Sequence, residues 1–482
     1  MSESIDDQSV PVTADAERVE ASPPGSFREL IRVAVPLMLS SGTLSIMHVA
    51  DRAMLTGWSQ DALAAVMPAG MMHWTVVCIP QGMVLYANTF IAQFDGAGRP
   101  RDMIVALWQA IWLALACGLV LMLSPIWSGW VLGMTDHPAG VIADEKTYFD
   151  TLCLGCPLLL LSTALGCFYS GRQRTRVILA VNVVGVLVNF GLDYVLIFGR
   201  LGLPAMGIRG AAVATVAARG CEVIVYSMLI FRQRNRQRFP LLSTWQPSVT
   251  ILGKYLKYGF PSGAHYFVDN GGFTLFLFIL GSVSRDALAA SNLAFGINAL
   301  IYVPLLGFGT AVQTLVGHHI GANLRQAAAA TTWNATKLAI LWTGATAIAL
   351  IFFPMWCLQP FLVFAEEGQD TAAIQSMLPV AAMLLSFVAI YSVFDALAVV
   401  FSAALRGAGD TFFPMLLTMF SSWCVMTLPA WYLSRQEGVE IQHLWWTATA
   451  HVFFMGSVMM ARFMTGRWKS IQIVTATVSQ SD

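Results

Sequence analysis

Charge is what this chain has least of. Asp, Glu, Lys and Arg together make up 11% of its 482 residues, where a soluble globular chain carries roughly 25%. The few charges also balance, with 27 basic against 27 acidic residues. No basic stripe follows a phosphate backbone, so nothing points to nucleic acid. Cysteine is sparse too. The eight cysteines are scattered, most inside apolar runs such as those of Cys78, Cys117, Cys357 and Cys424. Their spacings form neither a zinc pattern nor a disulfide framework, and they read as small core residues. No HExxH, GxSxG or paired Cys/His constellation lies on any predicted helix, which argues against a membrane enzyme. The first 25 or so residues lack an apolar core and are polar, acidic and Pro-containing. They are expected to form a disordered cytosolic tail rather than a cleaved signal peptide.

Apolar residues fill the space that charge leaves: 57% of the chain is hydrophobic and its mean hydropathy is +0.66. About 20 mostly apolar residues are needed to cross the hydrocarbon layer as a helix. Twelve such stretches occur, near 31–56, 63–93, 103–133, 148–170, 177–199, 208–231, 255–281, 288–319, 327–363, 373–404, 412–433 and 443–465. The third, eighth and ninth exceed a perpendicular span, which predicts tilt or extension into water. With the N-terminus placed in the cytosol, one side collects Arg99, Arg101, Arg172, Arg174, Arg176, Arg232, Arg234, Arg236, Arg238, Lys254 and Lys257. Arg325, Arg406, Arg467 and Lys469 join them, against only Lys146, Arg200, Arg209, Arg285 and Arg435 opposite. Positive charge stays inside, so both termini are expected in the cytosol. Trp58, Trp130, Trp245 and Trp468 lie near span ends and read as interface anchors.

The chain repeats itself. Pro36–Gly98 aligns with Pro261–Asn323 at a constant offset of 225, with 13 identities in 63 positions. Asp61-Ala-Leu-Ala-Ala65 recurs as Asp286-Ala-Leu-Ala-Ala290, Gly82 as Gly307 and Gly96-Ala97 as Gly321-Ala322. A fainter echo sets Gly171–Thr175 against Gly407–Thr411. Six spans separate equivalent points, so both halves enter the membrane in the same sense. The predicted fold is therefore all-α: twelve transmembrane helices in two six-helix lobes, related by a pseudo-two-fold along the membrane normal, an arrangement common among transporters. The expected division is a tail at 1–27, an N-lobe at 28–231, a cytosolic linker at 232–253, a C-lobe at 254–466 and a C-terminal tail at 467–482.

Local motifs then resemble the multidrug and toxic compound extrusion (MATE) family, and its NorM-like branch in particular. Pro36 followed by Asp51 and Gly57 is similar to that family's first helix, and Asp95-Gly-Ala-Gly98 to its small-residue turn. Asn189-Phe-Gly-Leu-Asp193 with Gly207-Ile-Arg-Gly-Ala-Ala-Val-Ala-Thr215 resembles its fifth and sixth helices. Leu405-Arg-Gly-Ala-Gly-Asp-Thr411 with Pro414 resembles its turn after the tenth. The match runs from about Phe27 to Arg467. Asp269 and Asp395 stand where the NorM-like branch carries acidic residues, although that branch usually has Glu at the position of Asp269.

An ionisable group in hydrocarbon costs roughly 2.5–3.5 kcal/mol or more, so each is a functional hypothesis. Five carboxylates fall within the predicted spans: Asp51, Asp193, Glu222, Asp269 and Asp395. Asn189 and Asp193, four residues apart, share one helix face. With Asp51 and Thr215 they would offer oxygens suited to sodium or to a proton, and the resemblance implies that these four form the N-lobe cation site. It likewise implies a C-lobe site at Asp269 and Asp395. The bland alternative is that Asn189 and Asp193 only bridge two helices. The repeat does not duplicate the acids: Asp269 aligns with Leu44 and Asp51 with Phe276. Arg52 follows Asp51 and would restrain it if the two paired. Glu222 has no assigned role and lies beside Arg219. His48, His73, His265 and His451 are expected to pack with satisfied partners, and His318 and His319 to lie at the interface.

The implied function is secondary active multidrug efflux: organic cations exported in exchange for Na+ or H+ by alternating access, with no cofactor beyond the coupling ion. Pro36 is the expected hinge. The chain is expected as a monomer, multi-pass in a bacterial inner membrane. The alternatives are a flippase of lipid-linked or other amphipathic substrates on a related fold, which would need inward cations for pyrophosphate, or a membrane enzyme.

Overall fold

The computed structural model describes residues 22–135, 137–363, 371–471 and 473. Among them there is no β-strand. Ten helices are both long and apolar enough to cross a membrane, and a bent pair supplies an eleventh. They run α1 Phe27–Thr56, α2 Gln60–Gly96, α3 Pro100–Leu121, α4 Ala139–Leu154 with Cys156–Gly171, α5 Thr175–Phe198 and α6 Ile208–Ile230. The second half repeats the series as α7 Val249–Val283, α8 Arg285–Gly321, α9 Arg325–Phe352, α10 Thr371–Ala408 and α11 Phe412–Leu433. The twelfth, α12 Ile441–Met464, is 24 residues long; Gln442, His443, Thr447, Thr449 and His451 dilute its apolarity. The exterior carries large exposed side chains such as Ile126, Leu341, Phe278 and Phe352. So much apolar surface on a folded chain fits lipid, not water. This is a multi-pass membrane protein, with ten or eleven helices among the described residues that meet the measure of a span and α12 beside them.

Two of the three long spans are shorter than the sequence suggests, for the same reason. The third ends at Leu121, and a separate short helix starts at Pro125. The ninth ends at Phe352, and another starts at Pro354. Proline has no N–H to continue the ladder and pushes the residue before it out of the helical region; Phe353 sits at φ −130°, ψ 46°. The eighth runs unbroken for 37 residues, or about 55 Å at 1.5 Å per residue, so it extends beyond the roughly 30 Å hydrocarbon layer.

The core shows how the lobes meet. One cluster joins both halves, holding Leu30, Val33, Phe90 and Leu107 beside Leu315, Ala335, Phe401 and Phe463. All of it lies toward the end that carries the termini. Toward the far end the core divides in two. Leu55, Ala65, Phe149 and Ile208 form a cluster drawn from the first half alone. Phe276, Leu350, Leu385 and Trp445 form one drawn from the second. The lobes are packed together at the terminal end and separate at the other.

The seam at the closed end obeys the 225-residue offset. Asn88 Nδ2 donates to Thr314 Oγ1 at 2.8 Å, and Gln313 Nε2 donates to Thr89 Oγ1 at 2.8 Å. Asn88 and Gln313 are equivalent by the offset, as are Thr89 and Thr314, so these are one contact made twice about a two-fold axis. The backbones meet with the same symmetry. A Cβ on Gly96 would lie 2.0 Å from the His318 carbonyl oxygen, and one on Gly321 2.0 Å from that of Gln93. The echo between Gly171 and Gly407 marks an equivalent contact inside each lobe: a Cβ on the first would crowd Ile91 and the Asn88 carbonyl, and on the second the Gln313 carbonyl.

Segments outside the spans are also tied down. Trp108 and Trp112 on α3 donate to the carbonyls of Leu241 and Trp245 at 2.8 Å each. Gln109 donates to the Gln246 carbonyl at 3.0 Å. The connection between lobes therefore runs along α3. At the start of α1, Glu29 accepts from the Gly25 N–H at 2.7 Å and lies 3.3 Å from His319 Nε2 on α8. His319 is buried, with Thr331 on its other nitrogen, so it belongs to the seam rather than to a membrane interface. Trp468 also departs from expectation. It is buried against Phe463 and donates to that residue's carbonyl at 2.9 Å, because the chain folds back after α12.

Gly321→Ala and Gly96→Ala should each wedge the seam and lower the apparent melting temperature of the purified protein, at a cost of roughly 1–3 kcal/mol. Gly344→Ala, where no atom lies within 4 Å of the added Cβ, should be neutral or slightly stabilising. Equal effects at all three positions would contradict this account of the closed end.

Candidate functional site

The first cluster sits in the far half of the N-lobe. Asn189 and Asp193, one turn apart on α5, are both fully buried, and Asp51 on α1 is 2% exposed. Asp51 faces both of them closely enough for their side chains to interact. Asn189 Nδ2 lies 3.5 Å from Thr215 Oγ1 on α6, whose hydroxyl is anchored to the Ala211 carbonyl at 3.1 Å. The four residues expected together are thus together. Three helices deliver them, and the i,i+4 spacing on α5 aims two at once.

The oxygens of this cluster stand out by what they lack. Asp51 Oδ1, Asn189 Oδ1 and both carboxylate oxygens of Asp193 are buried and receive no hydrogen bond among the described residues, the three side chains facing one another. Buried polar atoms are nearly always paired, and two adjacent carboxylates cannot both remain charged and unpaired in a low dielectric. Four orphaned oxygens and a hydroxyl suit a hard cation or a shared proton. Arg52 does not fill the need. Among the described residues no ion pair joins it to Asp51, and its side chain is exposed. Adjacent helical residues point about 100° apart, so the two diverge.

The other lobe holds a second, different group. Asp269 on α7 and Asp395 on α10 lie close enough for their charges to interact. Both are partly accessible despite lying deep among the helices, as they would in the wall of a cleft. Tyr302 on α8 faces both acids, and Tyr391 faces Asp395. Arg406, which its place near a span end assigned to the cytosolic surface, is instead buried. Its guanidinium stacks 5.1 Å from the Tyr266 ring centroid, within the field of Asp269, and two of its nitrogens have no partner.

Pro36 is buried within α1. It leaves the Arg32 carbonyl without its helical donor, and Asn182 of α5 donates to Ser40 Oγ one turn later at 2.6 Å. Glu222 is satisfied: it accepts from Ser162 at 2.5 Å and from Arg219 at 3.0 Å, a bridge between α4 and α6. His265 pairs with Thr418 at 2.8 Å and His451 with Ser421 at 2.7 Å, as packing histidines do.

Sequence reasoning missed Tyr148, Tyr302 and Arg406. Tyr148, on α4, is buried facing Asp51 and Asp193. A tyrosine in an apolar run carries no local mark of function, and only the packing of that arm of α4 against α2 and α6 brings it to the acids.

Spanning helices in two symmetry-related lobes, closed at one end and carrying buried carboxylates, define a membrane transporter. The MatE family model matches residues 36–195 and 261–432, two stretches that begin at the prolines related by the internal offset. The chain belongs to the MatE family. A "Probable multidrug resistance protein NorM" of Thermotoga maritima is 26% identical over 452 residues, covering 93% of this chain and 94% of that protein. "Multidrug resistance protein PmpM" of Pseudomonas aeruginosa is 28% identical over 411 residues, 84% of this chain and 83% of that one. The fold is similar to a solved structure described as "Outward-facing conformation of a multidrug resistance MATE family transporter of the MOP superfamily". That likeness has a TM-score of 0.83 at 18% identity, over 93% of this chain and 97% of that one. These relatives are transporters, not enzymes.

Glu222→Gln should lower thermal stability by roughly 1–3 kcal/mol, through loss of the charged acceptor for Arg219 and Ser162, and leave the ion dependence of transport unchanged. Arg52→Gln should change neither. A changed ion dependence in either variant would place that residue in the coupling site.

Proposed function

We propose that this transporter exports organic cations from the cytosol of a bacterium in exchange for Na+ or H+, by alternating access between its two lobes. The observation that carries the reading is the orphaned oxygen cluster at Asp51, Asn189 and Asp193. A buried acid pair is unfavourable when empty, so it holds a metal cation or a proton. With Asp269 and Asp395 it gives each lobe an acidic centre, and competition between the coupling ion and a cationic substrate for those acids is the coupling.

The closed seam carries both termini. With the termini cytosolic, as the Lys and Arg distribution implies, this conformation faces outward, and the coupling ion enters from the far end. Its arrival at Asp51 and Asp193 neutralises them and favours closure around α1, with Pro36 as the flexible point. Return requires the two symmetric seam contacts, Asn88 with Thr314 and Gln313 with Thr89, to part. A one-for-one exchange of monovalent cations moves no net charge, so the concentration gradient of the coupling ion drives it; each additional charge carried inward through about 100 mV would add about 2.3 kcal/mol. Tyr302 and Tyr391 beside Asp269 and Asp395 favour an aromatic cation, whose charge meets the acids while its ring lies against the tyrosines.

The test is transport of a fluorescent organic cation in vesicles holding the purified protein, with sodium and proton gradients imposed separately. One gradient should drive movement. Asp51→Asn, Asp193→Asn, Asp269→Asn and Asp395→Asn should each reduce the driven rate by roughly an order of magnitude or more. Movement that neither gradient drives, or that all four variants retain, would overturn the antiport reading. Pro36→Ala should slow transport with the protein still folded; unaltered rate and ion dependence would remove the hinge.

A further inference from the structure

Three side chains that play no part in the acidic clusters converge on the bend of α4. The first arm ends at Leu154, Gly155 caps it, and the second arm begins at Cys156 with Pro157 in its first turn. The arms diverge by 46°. Proline at that point lacks the donor that would continue the first arm, so the helix turns where its ladder is interrupted. Cys153 and Cys156 bracket the turn, both fully buried. From α2, His73 reaches toward the same point, and its Nε2 lies 3.5 Å from Cys156 Sγ. The two thiol sulfurs and a ring nitrogen of His73 all lie within 4.8 Å of one another.

We propose that His73, Cys153 and Cys156 form a binding site for a thiophilic divalent cation of the Zn2+ class, which ties α2 to the bend of α4. Distance and charge support this separately. Tetrahedral zinc, with Zn–S near 2.3 Å and Zn–N near 2.05 Å, sets a sulfur and a nitrogen ligand about 3.5 Å apart and two sulfurs about 3.8 Å apart. The 3.5 Å between Cys156 Sγ and His73 Nε2 is the length of the first edge, and the remaining pairs lie within 4.8 Å. Apart from a long contact of 3.7 Å to the Leu152 carbonyl, the Cys156 thiol faces His73 and Cys153, the two side chains that would share the ion with it. As for charge, two thiolates and a neutral imidazole around a divalent cation sum to zero, the state that costs least in a low-dielectric interior. A monovalent cation would leave a net negative charge there. Soft sulfur ligands also exclude Na+, Mg2+ and Ca2+, so this site does not compete with the oxygen cluster for its ion. Binding releases the two thiol protons to solvent as the metal–sulfur bonds form. His73 is only half-buried, which gives the cation a path in and leaves the fourth position to water.

The consequence follows from the position. Tyr148, which faces Asp51 and Asp193, lies on the same arm of α4, five residues before Cys153. A metal ion that fixes the bend also fixes the helix that bears on the N-lobe acids.

The experiment uses the full chain in detergent, reduced and metal-free, titrated with Cd2+ as the spectroscopic stand-in for Zn2+. The expected result is an ultraviolet thiolate-to-metal charge-transfer band that saturates at one Cd2+ per chain, with a rise in melting temperature on loading. The band should be lost in Cys153→Ala, Cys156→Ala and His73→Gln, and should persist when the other six cysteines are replaced together. That second construction keeps the test decisive if the single variants fold poorly. No saturable band, a band that survives Cys156→Ala in folded protein, or Cys153 and Cys156 recovered as a disulfide after reduction would each overturn the proposal. None of these readouts depends on transport, so the outcome stands apart from the antiport reading.

Discussion

Within the hydrocarbon layer a polar group has no water to turn to, and one left unpaired costs several kcal/mol. That constraint organises the molecule. The spanning helices satisfy their own backbones, and where prolines interrupt them at 125 and 354 the chain starts a new helix. Side chains follow the same rule: Glu222 holds Arg219 and Ser162, His265 holds Thr418 and His451 holds Ser421. Against this background the orphaned oxygens of Asp51, Asn189 and Asp193 are an exception in need of a cause. The coupling ion we propose would supply that cause.

The lobes share a scaffold and divide the chemistry. Equivalent residues make equivalent contacts at the seam, and glycines at equivalent positions let the backbones close to within a carbonyl of one another. The seam also carries the Gln93 amide on the Gly407 carbonyl at 2.9 Å and the Tyr86 hydroxyl on the Arg406 carbonyl at 3.1 Å. The acids are not symmetric. The N-lobe places two carboxylates and an amide against each other in a closed pocket. The C-lobe sets its pair in partly accessible positions beside tyrosines and a buried arginine. An enclosed oxygen pocket suits a bare ion, and an accessible acid beside aromatic faces suits a larger organic cation.

Membrane composition, span number, the repeat and its offset of 225 were all legible from residue identity, because hydrophobicity and self-similarity are local properties of the chain. So was the first acidic cluster. Asn189 and Asp193 announce a shared helix face by spacing alone, and the family pattern joined Asp51 and Thr215 to them. Three-dimensional packing alone decided the rest. Arg406 read as a surface charge because it stands near a span end, yet the seam encloses it. Trp468 and His319 read as interfacial for the same reason, and folding back of the chain and docking of α1 against α8 bury them. Tyr148 and Tyr302 had no mark at all. His73 and Cys156 stand 83 residues apart, and no spacing rule joins them; a bend in one helix and the approach of another do. Amino-acid order determined which segments enter the membrane and which faces carry acid. Tertiary structure decided which side chains meet, since contact between helices distant in sequence depends on packing that no local pattern encodes.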